Sequence, residues 1–507
     1  MRNGFYLLEL EILNRKKTIF DIKFLDEKQD INNKRNIDNK LFSTVIIGAN
    51  GSGKSYLLSL ITEVFRALES KKLNRDFTLR YEYYSFKYYL NHTIYSVEIF
   101  KKRFKILKKE LSKKGIPKEY TQVSIDEVDI PWRVLAVSFM INDKFTFQSD
   151  DRNPDTNYKY LGVRRTSNAT WTNSIVRKIS DALISHASVE GFYDKVKDIL
   201  GFLKYQPKIK LIFEPVAKNL FKKRISYEQL QTKIDNITNT AEYRAFSINK
   251  FRDEEFQVLM RYINETVMER EKINVNNKRG IQYTIDFTEE GGNFELLQDY
   301  KIIQYLVDMR LLKAPILLLS KNDEFEFENA SSGEKQFLFT MLNIASKLEQ
   351  NSLVLIDEPE LSFHPNWQML YVNYLKKIFN DYPTCHFILA THSHYIVSDL
   401  EEGSSSIVIL NNDDNEQTRK AELVQYSTFA WSAENILYNI FQVRTTRNYY
   451  FEMDLRKLVG MIKEKTKDLE RLERLINKLK RYLFDESDPM IEIIEEAERY
   501  LENAKEN

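Results

Sequence analysis

The sequence predicts an α/β protein: a mixed sheet with helices, split by a mainly helical insertion and followed by a helical tail. Three observations carry that expectation. The buried-strand run Ser43-Thr44-Val45-Ile46-Ile47 leads into a glycine-rich loop, Gly48 to Ser55, and then an amphipathic helix. A second apolar strand, Leu353 to Ile356, ends on Asp357-Glu358. A third, His386 to Ala390, runs into Thr391-His392-Ser393.

Taken in order, the first 47 residues read as strands, with partial alternation over Phe5 to Ile12. After Ser55, Leu57, Leu58, Ile61, Val64, Phe65 and Leu68 recur at helical spacing. Phe77 to Phe100 is rich in Tyr, Phe, Val and Ile around Asn91-His92, which predicts a hairpin; Val134 to Phe139 is a further short strand. Residues from about 170 to 275 are mostly helical by pattern, and strand signals return at Ile281–Phe287 and Ile316–Leu319. A helix from Ser332 to about Leu348, a helix from Trp367 to Phe379 and a hairpin over Ser405–Leu410 and Ala421–Tyr426 complete the core. Leu455, Leu458, Ile462, Leu469, Leu472, Ile476, Leu479 and Leu483 make the tail helical, with a gap near Thr466. The expected division is 1–62 and 301–445 for the two halves of the core and 63–165 for a β-rich and lid part. The insertion takes 166–300 and the tail 446–507.

Composition bounds the function. The 75 Lys and Arg against 74 Asp and Glu exclude a bulk polycation, so contact with nucleic acid needs a local patch. One cysteine, Cys385, excludes an internal disulfide framework and a four-cysteine zinc site. No run approaches a membrane span and the start lacks the apolar core of a signal peptide, so a cytoplasmic protein is expected.

Gly48-Ala49-Asn50-Gly51-Ser52-Gly53-Lys54-Ser55 fits G-x-x-x-x-G-K-[ST] in the strand–loop–helix setting that motif needs. Its glycines let backbone N–H groups turn inward around a β-phosphate, helped by the helix dipole. Lys54 reaches the β- and γ-phosphates, and the Ser55 hydroxyl ligates Mg²⁺. Asp357 at a strand end holds the magnesium shell, while Glu358 points elsewhere and polarises the attacking water. By itself, Ser331 before an apolar helical run is a helix cap. Four of the six histidines, His364, His386, His392 and His394, fall close together, but without Cys or carboxylate support they do not make a zinc site.

Phosphate loop, Ala330-Ser331-Ser332-Gly333-Glu334, Asp-Glu strand and Thr-His-Ser, in this order, resemble the ABC-type ATPases of the SMC and DNA-repair group. The wording Asp357-Glu358-Pro359-Glu360-Leu361-Ser362-Phe363-His364-Pro365 is similar to the prokaryotic branch found in defence loci. Val137 to Phe145, Tyr160-Leu161-Gly162 and Thr428 to Asn448 are similar to the PtuA ATPase subunits of Septu-type and retron-linked antiphage systems. The resemblance implies an ABC-type ATPase head that binds ATP and Mg²⁺ and pairs head to head as a homo-oligomer. It makes Ser331, Gly333 and Glu334 a signature that meets the partner's γ-phosphate, although Ala330 and Ser332 depart from the Leu and Gly of that motif. It makes His392 the γ-phosphate-sensing switch, catalytic alongside Glu358, and Ser362 to His364 a loop facing the partner subunit. The glutamine of the family's lid loop is not obvious; Gln148 is the candidate, with Asn142 behind it. An effector nuclease, of HNH type, is the implied partner. Only about 110 residues follow His392, too few for a metal-binding nuclease domain of this chain's own. A DNA-clamping repair ATPase and a nucleotide-sensing scaffold with little turnover are the alternatives.

Two features stay open. The basic stretch Lys101 to Lys118 reads as a solvated hairpin edge and, secondly, as a phosphate-backbone contact. The leucine and isoleucine series of the tail reads equally as a helix packed on its own domain and as a docking helix.

Overall fold

The computed structural model describes residues 3–26, 40–111, 119–148, 155–164, 171–186, 189, 191–216, 224–238, 253–266, 272–275, 278–288, 294–398, 400–412, 419–424, 427–441, 443, 447–482 and 490–506. They form two compact units, Met1–Ala430 and Trp431–Asn507.

In the first unit, β1 (Phe5–Asn14) and β2 (Lys17–Lys23) precede β3 (Phe42–Gly48), which feeds α1 (Lys54–Lys72). An antiparallel meander follows: β4 (Tyr83–Leu90), β5 (Thr93–Phe100), β6 (Arg103–Glu110) and the short β7 (Thr121–Gln122). Its first two turns are two residues long, and Asn91, His92, Lys101 and Lys102 all have φ between 45 and 68°. That left-handed backbone matches the twist of the flanking strands. Next come β8 (Val134–Ser138) and β9 (Tyr158–Tyr160).

The stretch expected to be mainly helical holds α2 (Trp171–Ser185), α3 (Phe192–Phe202), α4 (Tyr227–Thr238), α5 (Asp253–Arg261) and α6 (Phe294–Asp308). It also holds three strands, β10 (Lys208–Phe213), β11 (Lys272–Val275) and β12 (Lys278–Asp286), of which only β12 was foreseen in part. With β13 (Ile316–Ser320) and β14 (Glu324–Glu326) they build a separate antiparallel sheet, ordered β11-β12-β10-β13-β14. The alternation in β10 is short: Ile209 and Leu211 are buried while Lys208 is exposed and Lys210 half-buried. Four to six residues of period two are easily lost among helical neighbours.

The chain then returns to the core with α7 (Ser332–Lys347), β15 (Leu353–Asp357), α8 (Pro365–Ile378), β16 (His386–Ala390) and the single turn α9 (His394–Val397). The hairpin β17 (Ser405–Asn412) and β18 (Arg419–Val424) closes the first unit's sheet; Tyr426, assigned to it from sequence, lies outside the described residues. Among the described residues that sheet has 13 strands, ordered β7-β6-β5-β4-β1-β2-β18-β17-β3-β16-β15-β8-β9. It is mixed, as expected: β17, β3, β16, β15, β8 and β9 run parallel, and the meander end is antiparallel. Leu57, Leu60, Ile61, Val64 and Leu68 of α1 are fully buried in one core with Leu353, Leu355 and Ile388 of the parallel strands. Each such side chain contributes about 1.5–3 kcal/mol by leaving water. His386 is equally buried and plays a structural part, accepting the Leu7 N–H at Nδ1 (3.2 Å) and bonding the Thr44 hydroxyl at Nε2 (2.8 Å).

The second unit holds α10 (Ala433–Asn439), α11 (Tyr449–Lys463), α12 (Leu469–Lys480) and α13 (Met490–Glu506). The apolar series of the tail is thus broken between α11 and α12, where Lys465 adopts φ 52°. Leu458, Leu472, Ile476 and Leu479 are buried against Ile494, Ala497 and Leu501 of α13, which agrees with internal packing. Leu483 lies outside the described residues. No helix among the described residues is long and apolar enough to cross a membrane.

Candidate functional site

Parallel pairing sets the frame of the site. Register matches Ile46 to Ala390, Ala390 to Asp357 and Asp357 to Ser138, so β3, β16, β15 and β8 end in one row. Their carboxyl ends carry Gly48, His392, Asp357-Glu358 and the loop after Ser138. The crevice beyond such strand ends is where open α/β sheets bind ligands.

The glycine-rich loop is closely packed at its base. A Cβ on Gly48 would stand 2.5 Å from the Leu410 carbonyl oxygen and 2.8 Å from Ser52 Oγ, so no side chain fits there. Gly51 and Gly53 have φ of 80° and 94°, in the left-handed region glycine tolerates. Asn50 is exposed, and Ser52 donates its N–H to the Ala49 carbonyl at 3.1 Å. The Ser52 hydroxyl is buried without a partner. The first bond of α1 runs from Leu57 N–H to the Gly53 carbonyl (2.8 Å), so the N–H groups of Lys54, Ser55 and Tyr56 precede the helical ladder.

Lys54 is buried. Its ammonium donates to the carbonyls of Gly48 (2.9 Å) and Ala49 (3.3 Å) and lies 3.3 Å from His392 Nδ1. Burial pulls Lys54 down to about 8, against the opposing pull of Glu358, Glu360 and Asp357. Burial and the Lys54 charge also hold His392 below its ordinary value. With Nδ1 facing a donor, the ring proton is assigned to Nε2, which lies 3.9 Å from Glu358 Oε1.

Asp357 is 2% exposed, and neither of its oxygens has a donor at bonding geometry. Burial pushes its carboxyl up to about 7; the adjacent Ser55 hydroxyl pulls it down, and Glu358, Asp143 and Glu360 push it further up. A buried carboxylate with no hydrogen-bond donor on either oxygen, beside a hydroxyl, fits a cation. Among the described residues no cluster of three His, Cys, Asp or Glu side chains could hold a metal by itself. Magnesium bound by one or two protein oxygens, phosphates and water needs none. Glu358 has φ 49°, an uncommon backbone for this residue, and its N–H is held by the Ala390 carbonyl at 2.9 Å. Such strain concentrates where a side chain must be aimed.

Sequence reasoning missed two acidic residues here. Glu360 accepts the His392 N–H at 2.6 Å and so ties the His392 loop to the Asp-Glu turn; its other oxygen is buried without a partner. Asp-Glu-Pro-Glu was the available signal. Asp143 is a close enough neighbour of Asp357 to affect its charge. Burial raises Asp143, while Tyr160 (2.5 Å) and Arg164 (3.2 Å) donate to it. Gln148, the lid candidate, instead donates to Thr156 at 2.5 Å, and Asn142 is exposed.

Ser331, Gly333 and Glu334 form a separate surface. Ser331 caps α7 in a reciprocal box: Glu334 N–H donates to its hydroxyl (3.3 Å), and Ser331 N–H donates to the Glu334 carboxylate (2.9 Å). Burial alone would raise Glu334, but Lys321 at 2.7 Å and Ser331 more than offset it, leaving the carboxyl below its ordinary value. A Cβ on Gly333 would meet the Ser362 carbonyl oxygen at 2.7 Å, so this helix start is pressed against the Ser362–His364 loop. No hydrogen bond or ion pair among the described residues joins these three to Lys54 or Ser55. His364 caps α8, accepting from Asn366 N–H, and His394 packs against Tyr395 with the two rings tilted by 38°. On β6, Lys105 and Lys108 are within 3.5 Å of Glu98 and Glu110, as on a solvated edge; Lys113, Lys114 and Lys118 lie outside the described residues.

The chain is similar to Septu protein PtuA of Bacillus thuringiensis, 26% identical over 178 residues, or 32% of this chain and 44% of that one. It is also similar to the Retron Vc95 probable ATPase of Vibrio cholerae serotype O1 biovar El Tor, 23% identical over 284 residues, or 48% and 54% of the two chains. It therefore spans about half the length of these curated relatives. Among solved structures, the SMC head domain from Thermotoga maritima aligns at 11% identity with a TM-score of 0.32, covering 83% of this chain and 99% of that one. The family described as "AAA domain, putative AbiEii toxin, Type IV TA system" matches residues 43–398, from the strand before the glycine-rich loop to the turn after His392, and the chain belongs to it.

Proposed function

We propose that this chain is an ATPase of an antiphage defence system, binding MgATP on the Gly48–Ser55 loop and hydrolysing it at Glu358. One observation carries the reading: Lys54, His392 and Glu358 lie side by side beyond the strand ends, and the buried Asp357 carboxylate, with no donor on either oxygen, stands beside Ser55. In this assignment the loop N–H groups and Lys54 hold the phosphates, and Ser55 with Asp357 holds Mg²⁺, which neutralises phosphate charge when bound. Glu358 orients and deprotonates water; His392 senses the γ-phosphate, its loop held by Glu360. Ser331, Gly333 and Glu334 complete the site of a second copy, in a head-to-head pair. The engaged state is passed to an effector nuclease of HNH type, a partnership the likeness to PtuA supports.

Steady-state hydrolysis and calorimetry on the purified chain and on Glu358→Gln test this. The variant is expected to bind MgATP, turn it over about 10²–10⁴-fold more slowly and accumulate as a larger species in light scattering. Turnover within a factor of a few of wild type would retire Glu358 as the base. No nucleotide binding by wild type would retire the reading altogether.

A further inference from the structure

Lys54 accounts for one side of the phosphate loop, and a second cation stands on the other side without an assigned part. Arg419 opens β18, its backbone paired with Phe20 of β2 and Asn412 of β17. Its guanidinium lies against the last glycine of the loop. A Cβ built on Gly53 would stand 2.8 Å from Arg419 Cζ and Nη1 and 2.9 Å from Nε. The same group is 5.1 Å from the Phe20 ring centroid and 5.9 Å from that of Tyr56, the residue after Ser55. Phe20 is fully buried, and the Tyr56 hydroxyl donates to Tyr81 at 3.0 Å, so both rings are anchored. The other arginine on Tyr56, Arg80, is committed to Glu63 at 3.0 Å and Ser59 at 2.8 Å. Arg419 forms no ion pair with a carboxylate among the described residues.

The strand order orients a ligand. β16 and β15, bearing His392 and Glu358, lie on one side of β3; β17 and β18 lie on the other. A nucleotide whose terminal phosphate meets Lys54, His392 and Glu358 therefore directs its sugar end toward β18. On the ATPase reading above, we infer that Arg419 is a nucleotide-binding residue whose guanidinium contacts the sugar-proximal α-phosphate of a nucleoside di- or triphosphate. Chemistry favours this: a planar, permanently charged fork binds phosphate oxygens in pairs, and aromatic faces hold it ready. It also gives Gly53 a second reason to be glycine, because any side chain would displace the guanidinium.

Calorimetry of MgATP and MgADP binding to wild type, Arg419→Ala and Arg419→Lys tests the inference, with melting temperatures recorded with and without nucleotide. The α-phosphate is common to both ligands, so Arg419→Ala should weaken ATP and ADP by the same factor, about tenfold or more. Arg419→Lys should recover part of the loss, and the nucleotide-free melting temperature should stay near that of wild type. Should the alanine variant misfold, Arg419→Lys, which keeps a cation at the end of a long side chain beside Phe20 and Tyr56, carries the test alone: weakened binding of both ligands by a fully folded variant supports the contact. ATP and ADP affinities within twofold of wild type in a folded variant overturn it, as does a loss confined to ATP, which would put the guanidinium at the terminal phosphate. Wild type that binds no nucleotide overturns the ATPase reading and this inference together, an outcome distinct from a variant that binds as wild type does.

Discussion

The Lys54 ammonium lies 3.3 Å from Nδ1 of His392, although 338 positions separate them in the chain. Adjacent parallel strands bring them together, and the lysine is held by this imidazole and two carbonyls.

Because burial brings Lys54 down to about 8, nucleotide affinity should depend on pH. Only the ammonium attracts phosphate, so the Kd for MgATP should be level below pH 8 and weaken by about tenfold per unit above it. Calorimetry from pH 7 to 9.5 reads this directly, and Lys54→Ala should remove binding at every pH. A level profile to pH 9.5 would show that the lysine keeps its charge throughout.

Asp357 is poised against stability. Its carboxyl is raised to about 7, so the folded state holds the proton more tightly than the unfolded state does. Stability is therefore lost as pH rises through the interval between the ordinary carboxylate value and 7. In buffer with chelator, Asp357→Asn should be more stable than wild type at pH 8, by on the order of 2–4 kcal/mol, and the gain should vanish near pH 4. Urea denaturation at several pH values measures it. Hydrolysis should be lost in the same variant, and a destabilised Asn variant at pH 8 would contradict the argument that burial disfavours the Asp357 charge.

Ser331→Arg should leave ATP binding nearly intact and abolish hydrolysis, since among the described residues no hydrogen bond joins Ser331 to the phosphate loop of its own chain. Mixed with Lys54→Ala, it should regain part of the turnover, because the hetero-pair contains one composite site free of both lesions. Normal hydrolysis by Ser331→Arg alone would remove the signature role.

Leu472 is fully buried in the three-helix core of the second unit. Leu472→Ala should cost about 2–5 kcal/mol, lowering the unfolding transition of that unit in circular dichroism. Light scattering should show the assembly unchanged. Loss of assembly with no loss of stability would favour the docking-helix alternative.

The sequence by itself determined the strands and helices around the site, because each signal there is local. The Gly48–Ser55 loop lies between a continuous apolar strand and a helix of regular apolar spacing, and Ser331 with Glu334 is a cap box readable over four residues. Asp357, Glu358 and His392 were legible for the same reason: each stands just past an apolar strand. Tertiary structure alone decided what depends on strand order and on contacts between distant segments. β10 belongs to a second sheet because its partners are β12 and β13, residues that follow it by dozens of positions. Glu360 holds the His392 loop, Asp143 adds to the charge around Asp357, and Arg419 covers Gly53, contacts that no local spacing announces even where, as in Asp-Glu-Pro-Glu, the residue stands in a recognisable motif. Periodicity reports which side of an element faces the core. It carries no information on which remote side chain closes over a loop, since that follows from how β18, β3 and β16 are ordered across the sheet.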